Sequence, residues 1–359
     1  MSGPEFNTAG RPRILINGER SERLETDLIR LEARSDCAGV ASVEAVFVNW
    51  GSREAGQPVD YVHFDRASLD FGATLKVAFT VNGEEQGVFD GLVTGIGAAY
   101  PEQRPPELNI LAEDRLFGLR LRRRTRLSEE MTDGEIAARI GEDVGLQVDI
   151  GRDGSSHTQL LQINQDELGA LRARAGDALI RFADGRLIVT NAADETDPPL
   201  QLSRENELIR FTVLADLAHQ RAEVRVHGWD VAAKEAIHES AGADAVRGEA
   251  SDGRLGPEVV AEVFPDAAED LHLEAPATTT EAQILAEAAL RLRARRFVRG
   301  TGVTRGTPAM RVGSRLDLVD LGPWFAGTYL VTGVTHRFDQ NDGYRTEFVA
   351  QRPDLGEGA

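Results

Sequence analysis

The residues of this chain that could do chemistry are its histidines, its carboxylates and one cysteine. The seven histidines are scattered, and none has an H-x-x-x-H or similar spacing that would bring two of them to one metal ion. His336 lies near Asp339, and His227 near Asp230, but acid–base chemistry needs further groups that converge on such a pair. We therefore predict a structural role for these histidines, with His336 on a strand face at a subunit contact.

Adjacent carboxylates occur at Glu84-Glu85 and Glu129-Glu130, and in principle such pairs could hydrolyse a glycosidic bond. Both pairs lie beside turns or helix starts, where negative charge is locally favourable. Cys37 has no nearby base that would activate it as a nucleophile. The glycine-rich stretch 300–306 follows a predicted helix and leads to a strand, the reverse of the order in phosphate-binding loops. We predict no enzyme activity, no cofactor and no metal.

Composition narrows the remaining functions. The chain has 359 residues, enough for two or three domains, and a formal net charge of −19, which disfavours binding to nucleic acid. The chain has no run of about 18 apolar residues, so no membrane span is predicted, and the first residues do not resemble a secretory signal. A single cysteine excludes an internal disulfide framework and fits folding in a reducing cytoplasm.

The candidate interface residues are one basic cluster and several aromatic side chains. The cluster can contact an acidic neighbouring chain or form a solvated strand face, and nucleic acid is the least favoured partner. The aromatic residues lie at predicted strand ends, where interface contact and core packing are both open. With His336, the candidates are Arg120, Arg122, Arg123, Arg124, Arg126, Trp229, Trp324 and Tyr329.

The elements that must position these residues are mostly strands. Alternating residues on both sides of Asn82-Gly83 predict a β-hairpin, and Asp184-Gly185 predicts a second one. Capping signals at Thr132, Asn164 and Thr278 predict three helices. We therefore predict a mainly β protein with an α/β insert. The predicted domains are a β domain over 1–105, the insert over 106–199, a second β domain formed by 200–238 and 273–355, and a loop-like insertion over 239–272.

An ordered set of segments runs through much of the chain, and no single one of them is diagnostic. In the C-terminal third the set comprises 281–286, 297–302, 306–313, 322–338 and 343–346. Upstream it continues with Thr132-Asp133, 162–166 and the strand end 225–230. Over roughly residues 100–355, this ordered set resembles the phage late control protein D family, which includes tail hubs and the base portion of VgrG spike proteins.

The resemblance implies two small tube-like β-barrel domains per chain, so that a homotrimer forms a pseudo-sixfold ring. Such a protein is the baseplate hub of a contractile injection system, folded in the cytoplasm and incorporated into a phage-tail-like particle. Its partners would be its own copies, an inner tube protein, other baseplate components and a separate spike protein, because this chain ends without a needle. The alternatives are a cell-wall-degrading tail enzyme and a nucleic-acid-binding protein. Whether the particle is a phage tail, a secretion system or a released injector stays open.

Overall fold

The computed structural model describes residues 10–37, 39–53, 57–66, 69–81, 83–194, 197–271 and 276–357. Strands account for 48% of the protein and helices for 20%, so the prediction of a mainly β fold is confirmed. Asn82, half of the predicted Asn82-Gly83 turn, lies outside the described residues. Within the described part of the chain, no helix is long and apolar enough to cross a membrane.

The strands, in chain order, are β1 Arg13–Ile16, β2 Glu19–Arg20, β3 Leu28–Asp36, β4 Ser42–Val48, β5 Thr74–Val81, β6 Glu84–Ala99, β7 Glu107–Asp114, β8 Arg123–Thr132, β9 Gln147–Ile150, β10 Ser156–Asp166, β11 Leu179–Ala183, β12 Arg186–Thr190, β13 Leu200–Ser203, β14 Leu208–Ala215, β15 Glu223–Asp230, β16 Glu235–Ala241, β17 Arg254–Leu255, β18 Ala268–Leu271, β19 Val298–Thr304, β20 Arg315–Val319, β21 Gly327–Asp339, β22 Gly343–Arg352 and β23 Asp354–Leu355. The helices are α1 Glu22–Asp27, α2 Phe117–Arg120, α3 Asp133–Glu142, α4 Glu167–Ala175, α5 Gly256–Val263, α6 Thr279–Ala294 and α7 Gly322–Phe325.

One 13-stranded sheet forms the frame of the protein. Its strands run in the order β14-β19-β22-β21-β3-β4-β7-β6-β5-β1-β2, and β20 and β13 branch from β21. Nearly all neighbouring strands are antiparallel, and residues alternate between buried and less buried positions, most regularly along β22. One apolar core packs mainly on the N-terminal strands of this sheet, and a second core packs on the C-terminal ones.

The predicted α/β insert forms a separate layer with its own core. It contains the two-stranded ribbon β8–β10, the sheet β11-β12-β9, and helices α2, α3 and α4. Helix α3 begins with the predicted capping box between Thr132 and Glu135. Helix α4 is capped by Asp166, which accepts from the Gly169 N–H, and not by the predicted Asn164. Asn164 is instead a strand residue with φ of 42°.

The prediction of a loop-like insertion over 239–272 is wrong. The segment contains the end of β16, two 3₁₀ turns, β17, α5 and β18. Its buried apolar side chains include Val246, Leu255 and Val260, and these residues hold the Ala-, Gly- and acid-rich stretch against the rest of the protein.

Two further boundaries differ from the prediction. Strand β7, beyond the boundary drawn at residue 105, pairs with β4 and β6 in the large sheet. Strands β15 and β16, assigned to the second barrel, form a small separate sheet with β18. Helix α6 covers this small sheet, with Ala282, Ala286 and Leu290 in the shared core. The clean alternation of β15 indicated a strand but not the sheet to which it belongs.

Candidate assembly surfaces

All five candidate arginines have partners within the chain. Arg120 pairs with Glu113, and Arg122 donates to the Asp143 carbonyl at 2.7 Å. Arg123 donates to Asn164. Arg124 lies 3.0 Å from Glu167, which is fully buried, and Arg126 pairs with both Glu167 and Asp143. Arg124 and Arg126 therefore neutralise acids of the insert itself, and contact of the cluster with an acidic neighbouring chain stays a prediction.

The two candidate tryptophans lie on the surface. Trp229, near the end of β15, is 54% exposed, and Trp324, in α7, is 57% exposed. Trp324 makes an edge contact with Phe325, at 6.5 Å between ring centroids. Both indole rings are available to another protein, so their interface role stays a prediction.

Tyr329 and His336 lie inside the protein. Of the two alternatives left open for Tyr329, the structure shows core packing, whereas the predicted subunit contact of His336 is wrong because its ring is buried within the chain. Tyr329 is fully buried, its hydroxyl donates to the Phe325 carbonyl at 2.8 Å, and burial raises its pKa to about 12. His336 is 4% exposed and lies 2.8 Å from the Tyr344 hydroxyl and 3.1 Å from the Met310 carbonyl. Burial lowers the pKa of His336 to about 4, which keeps the ring neutral.

The residues considered for catalysis are not assembled into a site. Glu84-Glu85 and Glu129-Glu130 are exposed on strands, and Glu85 pairs with Arg13. Burial raises the pKa of Cys37 to about 11, which opposes thiolate chemistry. His227 contacts His238 and Asp270, and among the described residues no group of three or more His, Cys, Asp or Glu side chains is arranged to hold a metal ion.

The large sheet contains the same five-stranded unit twice. We call β3, β4, β5, β6 and β7 the first repeat, and β14, β19, β20, β21 and β22 the second repeat. In each repeat the strands lie in the order first, second, fifth, fourth, third: β3-β4-β7-β6-β5 and β14-β19-β22-β21-β20. A sixth strand lies next to the third strand in both, β1 beside β5 and β13 beside β20, although only β13 runs parallel to its neighbour. The repeats therefore share a topology.

The repeats also share their irregularities. Residues 92–95 of β6 and 330–333 of β21 both read Leu-Val-Thr-Gly, and both strands have a bulge at the threonine. Residues 28–30 of β3 and 208–210 of β14 both read Leu-Ile-Arg, with a bulge at the isoleucine. Because a bulge marks one residue of a ladder, these four positions align the two repeats residue by residue.

A turn before the third strand repeats in the same hydrogen-bonded form. Gly72 donates to the Val93 carbonyl at 2.8 Å, and Gly313 donates to the Val331 carbonyl at 2.9 Å. The return bonds, from Val93 to Ala73 and from Val331 to Ser314, are both 2.9 Å. The φ angles of the glycines are 78° and 92°, a region that favours glycine.

The two repeats meet at one strand pair, which we call the internal junction. There β21 of the second repeat pairs antiparallel with β3 of the first, from Gly333 opposite Asp36 to Asp339 opposite Arg30. Strand patterns in the sequence predict two β domains, but alternation alone does not align them. The Leu-Val-Thr-Gly and Leu-Ile-Arg motifs were the signal that could have revealed the alignment.

Comparison with known proteins shows a related family and related structures. A family model described as the Alg8 N-terminal domain matches residues 28–340. No curated protein sequence matches the chain.

Three solved structures are similar over 95% of this chain. The 43 kDa tail protein of prophage MuSo2 from Shewanella oneidensis has a TM-score of 0.67 and 12% identity, with 98% of that chain covered. The tail protein from Neisseria meningitidis MC58 has a TM-score of 0.64 and 14% identity, with 96% covered. The E. coli c3393 protein, described as a type VI secretion system component, has a TM-score of 0.58 and 13% identity, with 76% covered. The predicted resemblance to phage tail proteins is confirmed, and what is shared at these identities is the fold.

Proposed function

The chain belongs to the Alg8 N-terminal domain family, and from its fold and its internal repeat we propose that it is a structural hub in the baseplate of a phage-tail-like contractile injection system. In this proposal, each repeat is the core of one tube-like barrel. Three chains then present six equivalent units in a ring. The hub joins a sixfold inner tube on one side to a separate threefold spike on the other.

The observation that carries the proposal is the alignment of the two repeats. A protein that joins a sixfold partner to a threefold one needs two equivalent units per chain. The rotation that relates these two units must also relate the second unit to the first unit of the next copy. Shared strand order, shared bulges and a shared turn supply such units. Closed symmetry then leaves no interface without a partner.

The remaining candidates fit contact with other proteins better than catalysis. The exposed rings of Trp229 and Trp324 are available to the tube, the spike or other baseplate proteins. The carboxylates considered for glycoside hydrolysis lie on exposed strand positions, without the enclosed site in which a general acid is protonated. We therefore propose a role without enzyme activity, inside a tail-like particle.

The proposal is tested by the mass and shape of the assembled protein. Light scattering on the purified full chain, alone and with its tube and spike partners, should give a species of about three times the 39.0 kDa chain mass. Negative-stain electron microscopy should show a six-lobed ring around a central pore. A protein that remains monomeric with these partners, or a ring without six lobes, contradicts the proposal.

A further inference from the structure

Part of β6 has no partner strand where its counterpart in the second repeat, β21, pairs with β3 at the internal junction. Strand β21 pairs with β20 through its first residues and with β3 through Gly333–Asp339. Its counterpart β6 pairs with β5 only as far as Leu92, while β7 covers its other side through to Ala99. In the part of the chain that the structure describes, no strand pairs with the second side of residues 95–99. Residues 95–99 therefore correspond to the part of β21 that pairs with β3, but their own second side is unpaired among the described residues.

The counterpart of β3 is also open on one side. Strand β3 has β4 on one side and β21 on the other, whereas β14 pairs with β19 and is the terminal strand of the sheet. The backbone N–H and C=O groups along an unpaired strand edge can form a ladder with another strand. The protein therefore has two complementary open edges, one on each repeat.

Side-chain burial at matched positions supports this interpretation. Phe338 in the internal junction is 5% exposed, whereas its counterpart Tyr100 is 65% exposed. His336 is buried, whereas its counterpart Ala98 is exposed. On the other strand, Leu31 is 1% exposed and its counterpart Phe211 is only half-buried. At matched positions, side chains are buried where the internal junction covers them and more exposed where they lie at one of the two open edges.

We propose that residues 211–216 of one copy, most of which belong to β14, pair antiparallel with residues 95–100 of the next copy and repeat the register of the internal junction. The bulge alignment places Asp216 opposite Gly95, Val213 opposite Ala98 and Phe211 opposite Tyr100. This inference rests on the proposed ring, in which each copy gives one edge and accepts the other. Because the contact is heterologous, repeating it generates a closed ring when the rotations add to a full turn.

An exposed aromatic group lies where β14 of the next copy would arrive. Tyr61 stacks on Phe64 at 5.1 Å between ring centroids and makes edge contacts with Trp50 at 5.3 Å and Tyr100 at 6.5 Å. Trp50 and Phe64 are each 41% exposed. In the proposed register, Phe211 of the neighbouring copy extends this group, and such burial of aromatic rings is typical of interface cores.

The register can be tested by disulfide formation between copies. We expect Ala98→Cys combined with Val213→Cys, in a Cys37→Ser background, to give linked chains up to the trimer under mild oxidation. The control, Ala98→Cys with Ala215→Cys, moves one cysteine two residues along the same face. Its Cα separation of about 7–8 Å then exceeds what a disulfide can bridge. Equal linking of the two pairs, or no linking of either, overturns the register.

The contact itself can be tested by placing a charge at the covered position. Ala98 is exposed in the single chain, so Ala98→Arg should fold normally, but the arginine would be buried against β14 of the next copy. We expect a threefold fall in mass by light scattering, with an unchanged circular dichroism spectrum. Ala236→Arg, at an exposed alanine on the edge strand β16 of the small sheet, should leave the trimer intact.

The outcomes separate this inference from the proposed function. A wild-type trimer that Ala98→Arg does not disrupt means that copies associate through other surfaces, so the strand pairing is wrong and the hub stands. A wild-type protein that remains monomeric with its tube and spike partners contradicts both the strand pairing and the proposed hub. Loss of the trimer in Ala98→Arg alone, together with in-register linking, supports both.

Discussion

In the first repeat, the chain passes from its first to its second strand through residues 37–41, whereas in the second repeat the same step takes residues 216–297. That long connection carries the small sheet with α6. The first repeat instead expands the step between its second and third strands, residues 49–73, where Trp50, Tyr61 and Phe64 lie. The two repeats share a frame and differ in the connections that leave it.

The shared features show what the frame requires. The two bulges and the glycine turn involve main-chain hydrogen bonds that set strand register, and a slip by one residue would move every side chain to the opposite face. Connections are less constrained, because the entropy cost of closing a loop grows slowly with its length. The same fold can therefore carry different surface additions on equivalent units.

The end of the fifth strand is the sharpest chemical difference between the repeats. Asp114, the last residue of β7, accepts from the Ala41 and Leu116 backbone N–H groups at 2.7 and 2.8 Å. Its counterpart Arg352 donates to Asp354 at 2.9 Å and to the Ala326 carbonyl at 2.7 Å. All three side chains are buried. One repeat buries a carboxyl group that main-chain donors satisfy, and the other buries an ion pair.

The largest expected effect comes from breaking the ion pair. In Arg352→Met the Asp354 carboxylate stays buried without its guanidinium partner, and we expect a loss of about 3–5 kcal/mol in the free energy of unfolding. Chemical denaturation measures this loss. The double variant Arg352→Met with Asp354→Asn should recover most of it, because no buried charge remains. A single variant within 1 kcal/mol of wild type would contradict a buried pair.

A smaller effect, and one that depends on pH, is expected at Asp114. Burial raises the pKa of this carboxyl group to about 7, above its usual value of 3.8, so the folded state binds the proton more tightly than the unfolded state does. The resulting stabilisation is complete below pH 3.8 and is lost as the pH rises through 7. As the pH rises from 5 to 8, loss of this stabilisation should lower the free energy of unfolding by about 2–3 kcal/mol.

Asp114→Asn removes that titration. Denaturation at several pH values should show that the variant lacks the decline of wild type between pH 5 and 8. Glu44→Gln, which removes a partly exposed carboxylate from β4 of the same sheet, is the matched control and should keep the decline. Parallel curves for Asp114→Asn and wild type would mean that Asp114 is ionised throughout this range.

Much of the strand and helix content could be predicted from sequence, and the partition into sheets could not. Alternation identified β5, β6, β21 and β22, and capping residues located α3 and α6, because these signals are local. Sheet membership depends on pairing between distant residues, so β15 was assigned to the wrong sheet. Segment 239–272 was misjudged because its composition resembles a loop, whereas a few buried side chains, including Val246 and Leu255, fix its structure.

The candidate residues show the same limit. The pattern identified Tyr329 and His336 as notable strand residues but could not distinguish a side chain that faces the core from one that faces a partner. The five arginines formed a clear basic cluster, but their partners, among them Glu167 and Asp143, lie elsewhere in the insert sequence. The open edges could not be foreseen, because only the pairing of distant strands shows which strand sides stay unpaired.

The smallest expected effect tests how closely the repeats match. Gly72→Ala and Gly313→Ala each place a side chain at positive φ in the same hydrogen-bonded turn. No heavy atom lies within 4 Å of a Cβ added at Gly72, so backbone strain alone should set the loss in free energy of unfolding caused by Gly72→Ala, about 1 kcal/mol. If the turns are equivalent, denaturant titration should give the two variants losses that agree within about 0.5 kcal/mol. A markedly greater loss at Gly313 would show that the second turn is more tightly enclosed, and that the frame is shared in hydrogen bonding but not in packing.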